Sequence, residues 1–144
     1  YIRSQNQQYA SADIHCSLDF RCPLGSYKYI TTQFGQGGHG GVDLAAPQGT
    51  PIYAAADGVV TVAAYHYSYG NYVSIYHGSA DDGNTYATLY AHMSQAPSVS
   101  TGQQVKKGDL IGYVGNTGYS FGNHLHLELR VNGSRTNPLS YIPH

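Results

Sequence analysis

A mainly antiparallel β domain is the fold this sequence predicts, and three observations carry that reading. The 144 residues hold 18 Gly and 15 Tyr but no Trp and a single Met, a balance that suits short strands joined by turns. From Ile30 onward, strand-like runs alternate with clusters of Gly, Pro, Asn and Asp, the punctuation of β structure. No segment carries apolar residues at helical spacing for longer than about two turns.

The expected strands follow in chain order, each set off by turn residues. Residues 30–34 stop at Gly35, 51–54 open on Pro51, and 58–64 follow Asp57. Residues 72–76 follow Gly70-Asn71, 86–92 follow Gly83-Asn84, and 111–114 lie between Gly108-Asp109 and Gly115. Residues 124–131 form the last strand, with a turn at Asn132-Gly133 behind it. Val59-Val60-Thr61-Val62 is continuously β-branched, and Leu125-His126-Leu127-Glu128-Leu129 alternates strictly, as a half-buried strand does.

This length fits one compact domain, which buries roughly 70% of the surface of its unfolded chain. Charged residues make up 10% of the chain, against roughly 25% in typical soluble proteins. The net charge of -1 gives no electrostatic footprint for nucleic acid or an anionic membrane. No apolar run approaches the ~20 residues needed to span a bilayer. The chain opens at Tyr1 without Met or a leader, which fits an excised domain or a mature product. Eight His beside seven Lys plus Arg is the first sign of chemistry.

Residues 1–29 read as an N-terminal arm or linker, polar through Tyr1 to Asp13, and residues 30–144 as the functional domain. Cys16 and Cys22 lie within the arm at C-x5-C spacing. A disulfide is the favoured reading, since closing so short a loop stabilises by roughly 2 kcal/mol on the chain-entropy model. It implies an oxidising compartment. Two free thiols come next, and a metal site last, because only His15 lies near.

The histidines form three clusters. His39-Gly-Gly-Val-Asp43 is an H-x3-D pattern in a stretch too Gly-rich for regular helix, so both side chains can reach one ion; a surface loop is the plain alternative. His124-Leu-His126 places two imidazoles on one strand face, with Leu125, Leu127 and Leu129 on the other. That pair reads as a metal site or as a solvated polar face. His92 ends an apolar strand, where a lone His is more often structural, and His77 in Ile-Tyr-His-Gly has the same structural reading. Two His and one Asp supply three ligands and leave a fourth position for water, the pattern of catalytic zinc. Spare histidines suit proton transfer and oxyanion stabilisation.

At this point the sequence resembles the lysostaphin-type zinc metallopeptidases, endopeptidases of bacterial cell-wall peptidoglycan. The resemblance is carried by the segments from His39 to Ala54, Asp57 to Val60 and Gly70 to Val73. It continues through Tyr90-Ala-His92-Met, Val105 to Gly112, Gly115-Asn-Thr-Gly118, His124-Leu-His126-Leu-Glu128 and Asn137-Pro138. It covers about Thr31 to Tyr141 in order.

The resemblance implies one zinc per chain, held by His39, Asp43 and His126, with His92 and His124 as the two non-ligand catalytic histidines. It also implies a site in a groove walled by loops, and a tyrosine after the Gly-Val-Val strand lining it. Tyr65, Tyr67 and Tyr69 are the candidates, with Tyr69 favoured. Glu128 shares the face of His126 and either orients it or is a solvated strand residue. Asn123 stands where many relatives have Pro, which bears on loop shape. The implied partners are peptidoglycan peptide stems and cross-bridges, contacted by Tyr-rich loops (residues 65–76, Tyr119, Phe121). The implied protein is a secreted or cell-wall-associated monomer, with a phage origin also open. The alternatives are a catalytically silent peptidoglycan-binding or scaffold domain and a lipoyl- or biotinyl-like carrier. A carrier lacks support, since Lys106-Lys107 is not set in a Met-Lys-Met or Asp-Lys-Ala tip.

Overall fold

Ten strands run through the described residues, 15–118, 120 and 122–144, of the computed structural model. They are β1 (Tyr29–Thr32), β2 (Val42–Ala45), β3 (Pro51–Tyr53), β4 (Gly58–His66), β5 (Gly70–Ser79), β6 (Thr85–Met93), β7 (Gln104–Val105), β8 (Leu110–Tyr113), β9 (His124–Val131) and β10 (Ser134–Thr136). The large sheet has the order β1-β2-β9-β6-β5-β4-β7 with β10 paired to β9, and β3 and β8 form a second, two-stranded sheet. Every pairing between these strands is antiparallel.

All seven expected strands are present, with ends shifted by up to three residues and β9 matching at both ends. Three further strands escape sequence reading. Strand β2 is four residues long and leaves a Gly-rich loop, too short to show a period; β7 has only two residues. Strand β10 is the second arm of the hairpin that Asn132 and Gly133 close, at φ 54° and 83°, the left-handed pair a two-residue turn requires.

Leu125, Leu127 and Leu129 are at most 1% exposed and join Val73, Ile75, Tyr90, Ile52 and Ile111 in the main core. Their neighbours point to the other face of the sheet. That face is covered too, since His126 is 8% and Glu128 1% exposed. A second cluster of Val62, Tyr72, Leu89 and Ala91, with Tyr69 against it, lies beside it. The solvated-strand reading of Glu128 is thereby excluded.

A polar chain crosses the core. The Ala55 amide donates to Tyr90 Oη at 3.0 Å, and His77 Nδ1 meets the Asp57 carbonyl at 2.8 Å. A carbonyl only accepts, so Nδ1 carries the His77 proton. Nε2 therefore accepts from Thr88 Oγ1 at 2.8 Å, and Thr88 in turn accepts from Tyr90 at 2.6 Å. Every member is satisfied, which accounts for His77 as a structural residue.

Described residues 15–28, ahead of β1, are fastened to the sheet. Cys16, Phe20 and Leu24 are buried in the main core. The Cys16 amide donates to Ser79, the Arg21 amide to Ala55, and Tyr53 donates to Pro23, each at 2.8 Å. The expected Cys16–Cys22 disulfide is not formed: both cysteines are free thiols. Cys16 is locked into the core beside β5, while Cys22 packs against that core from a segment held separately to Ala55. The polar stretch through Asp13, and Tyr119 and Phe121, lie outside the described residues.

Candidate metal centre

The centre is built where β2, β9 and β6 lie side by side. Asp43 and His126 are direct cross-strand partners, and Ala91 on β6 faces His126 from the other side. One residue beyond Ala91, His92 has φ 62°, a left-handed backbone costly for a non-glycine residue and met most often at functional sites. Its amide donates to the Tyr69 carbonyl at 2.7 Å, and its Nδ1 donates to the Thr117 carbonyl at 2.7 Å. His39 enters from the 3-10 turn Gln36–Gly38. Between His39 and Asp43, Gly41 lies flat on β9: a Cβ there would collide with the Leu127 carbonyl. The glycine lets the H-x3-D loop approach His126.

These contacts bring all five sequence-selected residues together. Asp43 Oδ1 lies 2.9 Å from His126 Nδ1, 3.3 Å from His39 Nε2 and 3.6 Å from His124 Nε2. The ligand atoms of His39, Asp43 and His126 all fall within 4.8 Å of one another. His92 and His124 lie beside them, their rings tilted by 54° with centroids 4.8 Å apart.

The donor set fits a cation. Nε2 of His126 is 2.9 Å from Glu128 Oε2, and Nδ1 of His124 is 2.8 Å from the Gly122 carbonyl. Both partners accept, so each of those nitrogens carries a proton. The opposite ring nitrogens turn toward Asp43, where either a proton or a cation must lie between them and the carboxylate oxygen. His39 Nδ1 is buried with no hydrogen-bond partner. A divalent zinc with two imidazoles, one carboxylate and one open position answers this arrangement.

With no cation bound, protonation of His126 supplies the positive charge that the two flanking carboxylates call for. Burial works against a charged His126, yet its hydrogen bonds to Asp43 and Glu128 carry its pKa up to about 9. Burial opposes ionisation of Asp43, but the His126 hydrogen bond and the surrounding imidazoles hold its carboxyl below the usual range. Burial alone would raise Glu128; His126, then Arg130 and Arg135, bring it down to about 2. His92 is pushed down to about 4, chiefly by burial, and is neutral at pH 7.

Sequence reading missed Arg130 and Arg135. Arg130 Nη2 donates to Glu128 Oε1 at 2.8 Å, and Arg135 Nε lies 3.5 Å from the same oxygen. Tyr69, favoured among three tyrosines, donates to Glu128 Oε2 at 2.9 Å, while Tyr65 and Tyr67 are exposed. The alternation that puts His124, His126 and Glu128 on one face of β9 also puts Arg130 there, whereas Arg135 comes from β10 across the hairpin, where no local period marks it. A cavity of about 770 Å³ lies on the β1 side of the centre, with Lys28 in its wall. A second, of about 620 Å³, lies toward Arg135. His39, Ser68, Tyr69 and His126 line both.

The sequence profile of peptidase family M23 matches residues 37–138, a span containing all five of these residues. The chain belongs to peptidase family M23. Among M23 relatives, the DD-carboxypeptidase/endopeptidase Mpg of Neisseria meningitidis is 51% identical over 102 residues, 71% of this chain and 22% of that protein. The match spans about a fifth of the length of Mpg and of the peptidoglycan DD-endopeptidase ShyC of Vibrio cholerae. A zinc-containing peptidase from Vibrio cholerae superposes with a TM-score of 0.74 at 34% identity, covering 83% of this chain and 39% of that one. The catalytic domain of lysostaphin from Staphylococcus simulans does so at 0.64 and 31%, covering 83% and 87%. The mainly antiparallel β architecture is the M23 architecture.

Proposed function

We propose that this M23 domain hydrolyses peptide cross-links of bacterial peptidoglycan, using one zinc ion held by His39, Asp43 and His126. The observation that carries the proposal is the convergence of one ligand atom each from His39, Asp43 and His126 within 4.8 Å of one another. The chain's similarity to a DD-carboxypeptidase/endopeptidase and a peptidoglycan DD-endopeptidase supports a bond between D-configured centres as the one cut. The substrate places the site of action in the cell wall, outside the cytoplasm.

When bound, zinc supplies Lewis-acid activation of water at neutral pH. The protein's own residues do the rest. Glu128 accepts from His126 Nε2 and keeps Nδ1 as the ligand atom. His92 and His124 each spend Nδ1–H on a backbone carbonyl and keep Nε2 as a free base. Water adds to the scissile carbonyl carbon, its proton passes to one of these Nε2 atoms, and the C–N bond breaks. The proton returns to the leaving nitrogen, giving a carboxylate and an amine.

Zinc analysis combined with digestion of purified peptidoglycan tests the reading. About one zinc per chain, release of uncross-linked muropeptides, and loss of both on chelation are expected. Active protein free of divalent metal would overturn it, as would zinc-loaded protein that cuts no cross-link.

A further inference from the structure

Glu128 has two guanidinium neighbours but needs one. Arg130, its side chain 13% exposed, donates to Oε1 at 2.8 Å, whereas Arg135 holds Nε 3.5 Å away with its side chain 50% exposed. The two arginines are direct cross-strand partners on β9 and β10, a placement in which like charges repel. Charge balance at Glu128 does not require Arg135.

Arg135 is nonetheless held in place. Nη2 lies 3.3 Å from Tyr69 Oη, and the adjoining loop leaves room for it. A Cβ on Gly40 would stand 2.6 Å from Arg135 Cδ and 2.8 Å from Nη1. Nη1 has no partner among the described residues, and the side chain lines the cavity of about 620 Å³. That cavity meets the larger one at His39 and His126, so a peptide lying across the centre passes Arg135 as it leaves.

We propose that Arg135 anchors a carboxylate subsite beside the metal centre, which takes a substrate carboxyl group next to the cleaved bond. This rests on the peptidase reading above. A planar guanidinium with free donors, pre-oriented by a carboxylate and a phenol, suits charge-assisted pairing with a carboxylate. Peptidoglycan offers one: in a cross-link made to diaminopimelate, the carbon bearing the leaving nitrogen also bears a carboxyl group.

The test uses two cross-linked peptide dimers that differ only in that group, free carboxylate in one and carboxamide in the other. Wild-type, zinc-loaded protein is expected to favour the carboxylate dimer at least tenfold in kcat/KM. Arg135→Gln should bring the ratio close to one whatever its overall rate, with zinc content measured alongside. Lys28→Gln should keep the ratio, because Lys28 lines only the other cavity. The subsite is overturned if wild-type shows no preference, if Arg135→Gln retains it, or if Lys28→Gln erases it equally. Cleavage of neither dimer by zinc-loaded wild-type would sink the peptidase reading, and the subsite with it.

Discussion

His126 donates from Nε2 to Glu128 at 2.9 Å, and this contact decides which ring nitrogen faces Asp43. Glu128→Gln replaces a charged acceptor with an amide that can present either end to the ring. Zinc affinity is expected to fall about 10- to 100-fold, the usual scale for losing such a support. Activity should recover largely at saturating zinc. A competitive chelator titration measures it, and unchanged affinity would show that Glu128 serves only the arginines.

His92 and His124 stand beside the three proposed ligand residues, each with Nδ1 spent on a backbone carbonyl. His92→Ala and His124→Ala are expected to keep zinc near the wild-type level while turnover falls at least about 10²-fold. Because both act on one transition state, the double variant should lose less than the product of the single losses. If His124→Ala empties the site as fully as His126→Ala does, His124 is a ligand and the assignment is wrong.

Gly41 touches the backbone of β9 between the two halves of the H-x3-D motif. Gly41→Ala should force β2 away from Leu127 and separate Asp43 from His126. Zinc content and melting temperature are expected to drop together. A variant with full zinc and an unchanged melting temperature would show that the approach is not required.

His77 is fully enclosed, and burial lowers its pKa to about 4 from the ordinary 6.5. Between these values the unfolded chain binds the extra proton, so stability rises with pH across that window. The contribution is complete above pH 6.5 and lost as pH falls to about 4. It amounts to about 3 kcal/mol. Denaturant unfolding at pH 7 and pH 4, under identical metal conditions, should show a larger loss for wild-type than for His77→Gln. Equal losses would remove His77 as the cause.

Cys16 is 4% exposed, and burial raises its thiol pKa; Cys22 is half-buried. Iodoacetamide without reductant should label Cys22 in the native protein and both cysteines after unfolding. Failure to label either after unfolding would reveal a Cys16–Cys22 bond.

The strands were legible wherever their sequence signal was local. Val59 to Val62 and Leu125 to Leu129 announce β4 and β9 because alternation and β-branching act within a few residues. His39 with Asp43 and His124 with His126 were legible as spaced pairs, while His92, a lone histidine at a strand end, joined them only through the resemblance to the lysostaphin-type metallopeptidases. What those motifs do to one another was not. The disulfide expected from C-x5-C spacing gave way to core packing, since Cys16 gains burial beside Ser79 that the spacing does not register. Glu128 had two readings until β9 was seated between β2 and β6, where its carboxylate meets His126, Tyr69 and two arginines. Those partners lie up to 59 residues away in the chain. Tyr69 reaches Glu128 from the turn between β4 and β5, and only the assembled sheet brings that turn over β9, because strand order and register depend on the packing of whole faces rather than on any one segment.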